Sequence, residues 1–388
     1  MPDFGAENVV LEAAAGRVLR QVVSAERDQP PFDRVTMDGI AIRYASLESG
    51  NRKFNIQGTQ HAGDPVQSLD DDQNCIEIMT GGVLPEGSDC VIPVERITIA
   101  SNIATIESAY EVTAKQFVHA QGSDHVAGFE VLKPGTVISP MDIAIIASCG
   151  LSDVAVGRAP EIRVISTGNE LVPPGQPVAA HQIRMSNGPA LVAMLSGQGF
   201  TRSSHHHLPD DVETLEREID RHLGSADVIV LSGGVSMGKA DFVPEVLKKL
   251  GVELVFHKIS QRPGKPMWFG IGANGQAVFA LPGNPVSSLV CCRQYVLPAL
   301  LKSSGRSDTP AKYAVLEEDV TFAANLTCFL PIRSAVMVDG RMSAMPVPTN
   351  TSGDFAALGN TDGYVELRRE ESDFPAGSVV PLHLWATP

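Results

Sequence analysis

The sequence predicts a mixed α/β multidomain protein with a β-rich N-terminal domain, a central α/β domain that has a mostly parallel sheet, and a small C-terminal β-barrel. Strands and helices alternate between residues 161 and 303, which indicates right-handed βαβ crossovers. Short strand-like segments dominate from residue 30 to about residue 127, and again after residue 305. These three observations decide the fold class.

Changes in the sequence pattern at residues 158–160 and 303–305 set the main domain boundaries. The predicted division comprises a linking α/β domain of residues 1–26 plus 128–159, a β-rich N-terminal domain of residues 27–127, an α/β domain of residues 160–308 and a C-terminal β-barrel domain of residues 309–388.

Three features justify the N-terminal elements. The apolar spacing over residues 8–24 predicts an amphipathic helix. Two alternating segments joined at Ser101-Asn102 predict a hairpin. Pro140 near the start and Gly150 after the end delimit a predicted helix over residues 140–149.

The central domain alternates apolar strands with helices. The predicted strands are EIRVIST, DVIVLSG, VELVFHKIS and QAVFALPG, and the predicted helices lie around residues 187–197, 210–223, 241–250 and 286–302. Ligands of such sheets bind beyond the carboxyl ends of the strands, so the loops there are candidate binding segments. The barrel strands are predicted in KYAVLEEDV, CFLPIRSAVMV, GYVELRRE and SVVPLHL.

Composition narrows the function classes. The chain has 388 residues, of which 43% are apolar, so a large core is available. Thirty basic side chains against 45 acidic ones leave a net charge of −15, which argues against nucleic-acid and anionic-lipid partners. The six cysteines form no CxxC pair and are predicted to be reduced core thiols. Without a signal-like N-terminus or a membrane-length apolar run, we expect a soluble, cytoplasmic protein.

Three loops follow apolar strands of the central domain. The glycine-rich loop Ser232–Asp241 lets the backbone approach a phosphate, or is simply a tight turn that Asp241 caps. The loop Pro282–Pro285 precedes a helix N-terminus, and is a ligand loop or a rigid turn. The third loop places Glu170 just past Gly168. Three such loops in one domain favour a ligand site.

Four further groups are candidates. Lys258, Arg262 and Lys265 form a cationic cluster for a multiply charged anion, or a solvated strand. In the N-terminal region Asp38 is suited to Mg²⁺ or to orienting water, and Thr80 to donating to an oxyanion, although both lie in turn-like segments. The histidines 205–207 are more typical of a solvent-facing edge strand than of a metal site, because strand residues alternate faces. Cys291-Cys292 fits a helix core.

In order along the chain, these motifs resemble the molybdopterin molybdenumtransferase family, which includes MoeA and the E domain of gephyrin. The matching stretches are PPFDRVTMDGIAI, IMTGGVLPEGSDCVIPVE, VISTGNEL, IRMSNGPAL, LSGGVSMGKADF, RPGKPMWFG and LPGNPVSSLV. Weaker similarity in the C-terminal β region extends the resemblance to nearly the whole chain.

The resemblance implies a central domain of the molybdopterin-binding type and a Mg²⁺-dependent reaction. The substrates would be adenylyl-molybdopterin and molybdate, with AMP released and molybdenum inserted at the dithiolene. It also implies a homodimer with the active site between subunits, and a molybdopterin adenylyltransferase as the upstream donor.

The resemblance also assigns candidate site residues. Catalytic candidates are Asp38, Thr80, Glu170 and Asp241, of which Asp241 and Glu170 would hold the metal. The candidate binding residues are Gly233, Gly234, Ser236, Gly238, Lys258, Arg262, Lys265, Pro282, Gly283, Asn284 and Pro285, with looser matches at Asp124, Asp210 and Arg333.

The sequence departs from the family pattern at several of these motifs. Arg34 and Val35 stand where Asn and Ser are usual, and Ile40 where Tyr is usual. Met185 and Asn169 each replace a carboxylate. Two alternatives stay open: the adenylyltransferase activity, against which the extra domains argue, and a catalytically silent scaffold, which the two lost acids favour.

Overall fold

The computed structural model describes residues 1–235, 242–322, 325–348 and 353–385. The chain forms two compact units. We call Val22–Lys133 with Pro140–Ser152 the N-terminal unit, and Met1–Gln21 with Pro134–Ser139 and Asp153–Pro388 the main unit. Each unit is described by itself below.

The elements up to residue 157 are mostly short strands. They are β1 (Ala6–Val10), β2 (Val23–Ser24), β3 (Arg34–Val35), β4 (Gly39–Ile42), α1 (Tyr44–Glu48), β5 (Lys53–Gln60), β6 (Asn74–Ile78), β7 (Cys90–Pro93), β8 (Ile97–Ala100), β9 (Ile103–Ile106), β10 (Val118–His119), β11 (Glu130–Leu132), α2 (Pro140–Ser148) and β12 (Asp153–Gly157), with 3₁₀ turns at Leu11–Ala13 and Val94–Arg96.

The N-terminal unit is built on a mixed sheet with the strand order β7-β4-β6-β5-β9-β8. Its core contains fully buried Ile40, Ile42 and Phe54. The predicted hairpin is confirmed, because β8 and β9 pair antiparallel around Ser101 and Asn102, whose φ angles of 51° and 63° suit a tight two-residue turn. The predicted helix over residues 140–149 is also confirmed, as α2.

The helix predicted over residues 8–24 is wrong. The chain there forms β1, which pairs antiparallel with β12, followed by a single 3₁₀ turn and then β2. Gly16, at a φ of +77°, lies in a second turn, between the 3₁₀ turn and β2. Apolar spacing alone favoured a helix, but pairing with a strand about 140 residues away overrides local propensity.

The central part of the main unit alternates strands and helices. Its elements are β13 (Ile162–Thr167), β14 (Leu171–Val172), β15 (Ile183–Arg184), α3 (Asn187–Ser196), β16 (Ser203–Leu208), α4 (Val212–Leu223), β17 (Val228–Ser232), α5 (Val243–Lys249), β18 (Glu253–His257), β19 (Gln261–Arg262), β20 (Trp268–Ile271), β21 (Ala277–Leu281), α6 (Pro285–Cys291), a π-helical segment (Cys292–Val296) and α7 (Leu297–Ser303).

The central sheet has the strand order β16-β13-β17-β21-β20-β18. Strands β16, β13, β17 and β21 are mutually parallel, so their carboxyl ends meet at one edge of the sheet. Strands β20 and β18 complete the sheet with antiparallel pairing. The histidines 205–207 lie on β16, which is an edge strand, in agreement with the interpretation made from the sequence.

The last part of the chain closes into the predicted small barrel. Its elements are β22 (Lys312–Leu316), β23 (Val320–Thr321), β24 (Thr327–Val336), β25 (Met342–Pro346), α8 (Phe355–Leu358), β26 (Gly363–Leu367), β27 (Asp373–Phe374) and β28 (Val379–Leu384). Within the described residues, the order β24-β25-β22-β28-β26 returns to β24 and forms a closed five-stranded barrel. The short strand β19 extends this sheet by pairing parallel with β24.

All six cysteines are buried and free, as predicted. Burial raises the pKa of the Cys75 thiol to about 12 and that of the Cys90 thiol to about 11, so these thiols stay protonated. Among the residues described, no helix is both long and apolar enough to cross a membrane.

Candidate active site

A large cavity lies at the carboxyl ends of the parallel strands in the main unit. Its volume is about 1240 Å³. One wall consists of the loops after β13, β17 and β21, and the other of barrel residues such as Phe322, Phe329 and Pro331. The position follows from the fold, because parallel strands leave a crevice at this edge.

A partly buried polar network joins the loops after β17 and β21. The amide Nδ2 of Asn187, at the start of α3, donates to Ser232 Oγ at 2.9 Å and to Gly283 O at 2.7 Å. Ser288 Oγ donates to Pro282 O at 2.6 Å and lies 3.1 Å from Ser232 Oγ. The network therefore fixes the two loops relative to each other.

The predicted glycine turn after β17 lines this cavity. Gly233 and Gly234 have φ angles of +102° and +68°, which other residues rarely adopt. A Cβ at Gly233 would lie 2.8 Å from Thr167 O, and one at Gly234 would lie 2.8 Å from Val243 Cγ2. Glycine is thus required here by both conformation and space. The predicted Ser236, Gly238 and Asp241 lie outside the described residues.

Two buried polar atoms of the cavity lining have no hydrogen-bond partner among the described residues. They are Thr167 Oγ1 and Asn187 Oδ1. Buried polar groups are normally satisfied, and leaving one unpaired costs about 1–3 kcal/mol. Such atoms are therefore suited to hydrogen bonds with a bound ligand.

Two of the predicted acids line the cavity. Glu170 is exposed and its carboxylate folds back over Gly168, where a Cβ would lie 2.8 Å from both carboxylate oxygens. Asp210 lies at the end of the neighbouring strand, and its backbone N–H donates to Asn169 Oδ1 at 3.1 Å. The loops thus place two carboxylates at one rim.

The predicted cations separate into two groups. Arg262 and Lys265 line the cavity. The Arg262 guanidinium also lies 5.9 Å from the ring centroid of Phe322, within cation–π range. Lys258 and Arg333 are both exposed and do not line the cavity, so the structure does not bring these two predicted residues to it. The cavity is also lined, as predicted, by Pro282, Gly283, Asn284 and Pro285.

In the N-terminal unit, Asp38 and Thr80 are in direct contact. The backbone N–H and the hydroxyl of Thr80 each donate to Asp38 Oδ1 at 2.7 Å. These bonds, the backbone one first, hold the pKa of the Asp38 carboxyl below its usual range. A Cβ at Gly39 would lie 1.9 Å from Ile92 O, so only glycine allows the strand after Asp38 to pack here.

The second predicted acid of the N-terminal unit, Asp124, ends a hydrogen-bonded chain. Arg34 donates to His119 Nδ1 at 3.2 Å, and His119 Nε2 lies 3.1 Å from Asp124 Oδ1. Because Nδ1 accepts from the guanidinium, Nε2 carries the proton and donates to the carboxylate. Arg34, one of the departures from the family pattern, thus supports a predicted site residue.

Comparison with known proteins agrees with these features. Residues 3–150 match the MoeA N-terminal region (domain I and II), residues 163–302 a probable molybdopterin binding domain, and residues 313–385 the MoeA C-terminal region (domain IV). A molybdopterin molybdenumtransferase from Synechocystis sp. is 39% identical over 99% of this chain and 96% of its own. The chain belongs to the molybdopterin molybdenumtransferase family.

Other similar proteins have lower sequence identity but also match over nearly their whole length. The Haemophilus influenzae molybdopterin molybdenumtransferase is 31% identical over 97% of this chain and 93% of its own. A solved molybdopterin biosynthesis MoeA protein from Pyrococcus horikosii has a TM-score of 0.83 at 30% identity, covering 100% of this chain and 96% of its own. The family and the transferase class predicted from the sequence are confirmed.

Against this family background, the two lost acids have distinct surroundings. Met185 is 4% exposed and lines the cavity, so an apolar side chain occupies that wall. Asn169 uses its amide oxygen to accept from the backbone of Asp210. Both replacements leave Glu170 and Asp210 in place at the rim.

Sequence reasoning missed the polar residues beneath the loops. Thr167, Asn187, Ser232 and Ser288 lie inside motifs that the sequence already singles out, yet none was selected. Their signal is a polar side chain at the end of an apolar strand or at the start of a helix, which is where unpaired backbone groups need partners.

Proposed function

We propose that this member of the molybdopterin molybdenumtransferase family releases AMP from adenylyl-molybdopterin and inserts molybdate at the dithiolene, with Mg²⁺ as the metal. One observation carries the proposal: the same cavity is lined by two carboxylates and two cations. The carboxylates are Glu170 and Asp210, the cations are Arg262 and Lys265, and glycines with positive φ lie in the same lining. A phosphoanhydride substrate and a second oxyanion require these groups together.

The size of the cavity supports a large substrate. Typical small-molecule pockets occupy about 300–1,000 Å³. A volume of about 1240 Å³ exceeds that range and suits a pterin joined to a nucleotide. The unpartnered Thr167 Oγ1 and Asn187 Oδ1 supply a donor and an acceptor for its polar groups.

The residues at the rim fit Mg²⁺. This ion keeps several waters and is usually held by one or two carboxylates together with substrate phosphates. We propose that this donor set consists of Glu170, whose exposed carboxylate lines the cavity, and Asp241, which is assigned from its motif. When bound, Mg²⁺ would neutralise phosphate oxygens of the anhydride.

The remaining roles fall to side chains of the chain itself. Arg262 and Lys265 would bind molybdate or phosphate oxygens, and the glycine loop would accommodate the pterin phosphate. Asp38, held ionised by Thr80, would orient the attacking oxygen or its proton. Lys258, Arg333 and Asp124 do not line the cavity. Lys258 and Arg333 would act through their positive charge, and Asp124 would act by anchoring its own loop through His119.

The proposal extends to the setting of the reaction. We propose a homodimer with its active site between subunits, a molybdopterin adenylyltransferase as the upstream donor, a cytoplasmic location, and no nucleic-acid or membrane partner. We also propose four domains: residues 1–26 with 128–159, residues 27–127, residues 160–308 and residues 309–388.

The test is AMP release from adenylyl-molybdopterin by purified protein with Mg²⁺, measured with and without molybdate. We expect molybdate-stimulated release that Asp241→Asn and Glu170→Gln each lower by at least about 10-fold, or 1.4 kcal/mol of transition-state stabilisation. Glu253→Gln, an exposed acid on edge strand β18, is the matched control and should leave release unchanged.

Two outcomes would contradict this function. Binding of the pterin nucleotide without release, where a control transferase works, would make the protein a scaffold. Consumption of ATP with pyrophosphate release would instead make it an adenylyltransferase.

A further inference from the structure

The loop that carries the cavity cations is closed by its own backbone. Lys258 N–H donates to Met267 O at 2.8 Å, and Ile259 N–H donates to Lys265 O at 2.9 Å. Between these bonds, residues 261–265 turn beneath the cavity and present Arg262 and Lys265 to it. The backbone of this turn determines where both charges lie.

One buried side chain satisfies that turn from within. Gln261 is 1% exposed, and its amide Nε2 donates to Pro263 O at 3.0 Å and to Cys291 Sγ at 3.5 Å. Its Oε1 accepts from Tyr295 OH. The amide therefore uses both donors and its acceptor, which fixes its orientation.

A second contact holds the next residue of the turn. Cys291 Sγ donates to Gly264 O at 3.7 Å. Gly264 has a φ of +95°, and a Cβ there would lie 2.4 Å from Cys291 Sγ and 2.7 Å from Gln261 Nε2. The turn is thus packed directly onto the side chains that bond it.

The two partners come from one helical segment. Cys291 ends α6 and Tyr295 lies in the π-helical segment that follows, four residues along the chain. Burial raises the pKa values of the Cys291 thiol and the Tyr295 phenol, so both remain protonated donors. π-Helical segments of this kind occur frequently at functional sites.

We propose that Gln261 is a positioning residue that, with Tyr295 and Cys291, fixes the backbone of residues 262–265 so that Arg262 and Lys265 face the oxyanion substrate. This inference rests on the proposed function, because it assigns molybdate to the two cations. It predicts that loss of the network weakens the use of molybdate and spares the pterin nucleotide, which has contacts elsewhere in the cavity.

The experiment measures KM for molybdate and KM for adenylyl-molybdopterin separately, together with kcat, in the AMP-release assay. Gln261→Met and Tyr295→Phe should each raise KM for molybdate about 10-fold and change KM for the nucleotide less than twofold. Tyr110→Phe is the matched control, because Tyr110 OH accepts from Gln116 Nε2 at 2.7 Å in the N-terminal unit. It should leave both KM values unchanged.

Two substitutions at Cys291 test the thiol hydrogen bond without adding volume to the crowded turn. Cys291→Ser keeps a donor to Gly264 O and should stay close to wild type in KM for molybdate. Cys291→Ala removes the donor and should raise that KM several-fold. Equal behaviour of the two variants would overturn the role given to the thiol hydrogen bond.

Lys265→Ala is the reference for loss of the anion contact itself. If Lys265→Ala raises KM for molybdate while Gln261→Met and Tyr295→Phe do not, the positioning role is wrong and the proposed function stands. A joint rise of both KM values would also overturn the role, because it would report general disruption. Absence of molybdate-stimulated release in the wild type would overturn the proposed function and this inference with it.

Discussion

Two pairs of residues make similar hydrogen bonds in different surroundings. One pair is Asp38 and Thr80, and the other is Asn187 and Ser232. Asp38 and Thr80 are exposed, and both bonds go to a single carboxylate oxygen. The bonds of Asn187 and Ser232 join two strand-end loops, and Ser232 is 2% exposed. Water can replace the first set of bonds, whereas the second set is partly buried and includes the fully buried contact between Ser232 and Ser288.

The difference separates chemistry from stability. An exposed pair can be changed with little effect on folding, so any lost activity reports on the reaction. A buried network cannot be cut without leaving unpaired groups, so folding and binding change together. The predictions below test this distinction.

The largest effect is expected at the exposed pair, in turnover alone. Asp38→Asn replaces a carboxylate that hydrogen bonds from Thr80 keep ionised. The substitution should lower kcat for AMP release by about 100-fold or more. The melting temperature should stay unchanged. Asp89→Asn is the control, because Asp89 Oδ1 likewise accepts a backbone N–H, from Tyr44 at 2.6 Å. A large fall in melting temperature with Asp38→Asn would contradict the comparison.

The buried network should respond in both measurements. Asn187→Ala removes the donors to Ser232 Oγ and Gly283 O and should lower the free energy of unfolding by about 2 kcal/mol. It should also weaken nucleotide binding. Urea unfolding and a binding titration provide the two values. Asn51→Ala removes two exposed bonds, one to Gln73 at 3.3 Å and one from the Lys53 N–H at 3.1 Å, and should change both values much less. Equal effects at the two sites would remove the distinction.

A buried titratable group extends the comparison to pH. His222 is 3% exposed, and burial, followed by His206 and Arg221, lowers its pKa from the ordinary 6.5 to about 4. The unfolded chain therefore binds the proton first, and stability falls as pH decreases from about 6.5 to about 4. His222 should contribute about 2 kcal/mol to that loss.

His222→Phe tests this contribution. It keeps a ring against His206, whose centroid lies 4.5 Å away, and removes the titration. Unfolding free energies measured between pH 7 and pH 4 should then fall less steeply than in the wild type. An unchanged slope would show that other groups account for the acid sensitivity.

The smallest effect is expected at a second exposed array. Arg34→Asn removes the guanidinium that donates to His119, and should change the free energy of unfolding by about 0.5 kcal/mol or less. Thermal unfolding at low and high salt measures it. A loss above about 1.5 kcal/mol would place this array with the buried network instead.

Local sequence pattern predicts the central fold and the C-terminal barrel well, and the first 24 residues poorly. Strands β17 and β21 are almost wholly apolar runs, and β13 is largely apolar, so the sequence pattern identifies all three. The region of β1 has apolar spacing that also suits a helix, and only its pairing with β12 decides the outcome. Pairing between strands so far apart in sequence cannot be recognised from the residue pattern of one short segment.

The site was predictable where single residues carry the chemistry. Glycines with positive φ, Glu170 and the two cavity cations were found because their residue types are distinctive. Lys258 was grouped with Arg262 and Lys265 by sequence distance alone, and the loop directs it elsewhere. Asn187 contacts Gly283 and Ser288 contacts Ser232, and these partners are distant in sequence, so the roles of both residues emerge only in three dimensions.

Strand β19 ties the cavity to the order of folding. Its residue Arg262 pairs with Cys328 of the barrel strand β24, a contact between segments more than 60 residues apart. Synthesis runs from the N-terminus, so every strand of the central sheet leaves the ribosome before β24 does. A nascent chain can therefore complete its central sheet while β19 still lacks its partner strand. The segment that carries Arg262 gains this pairing only after the barrel strand has been made.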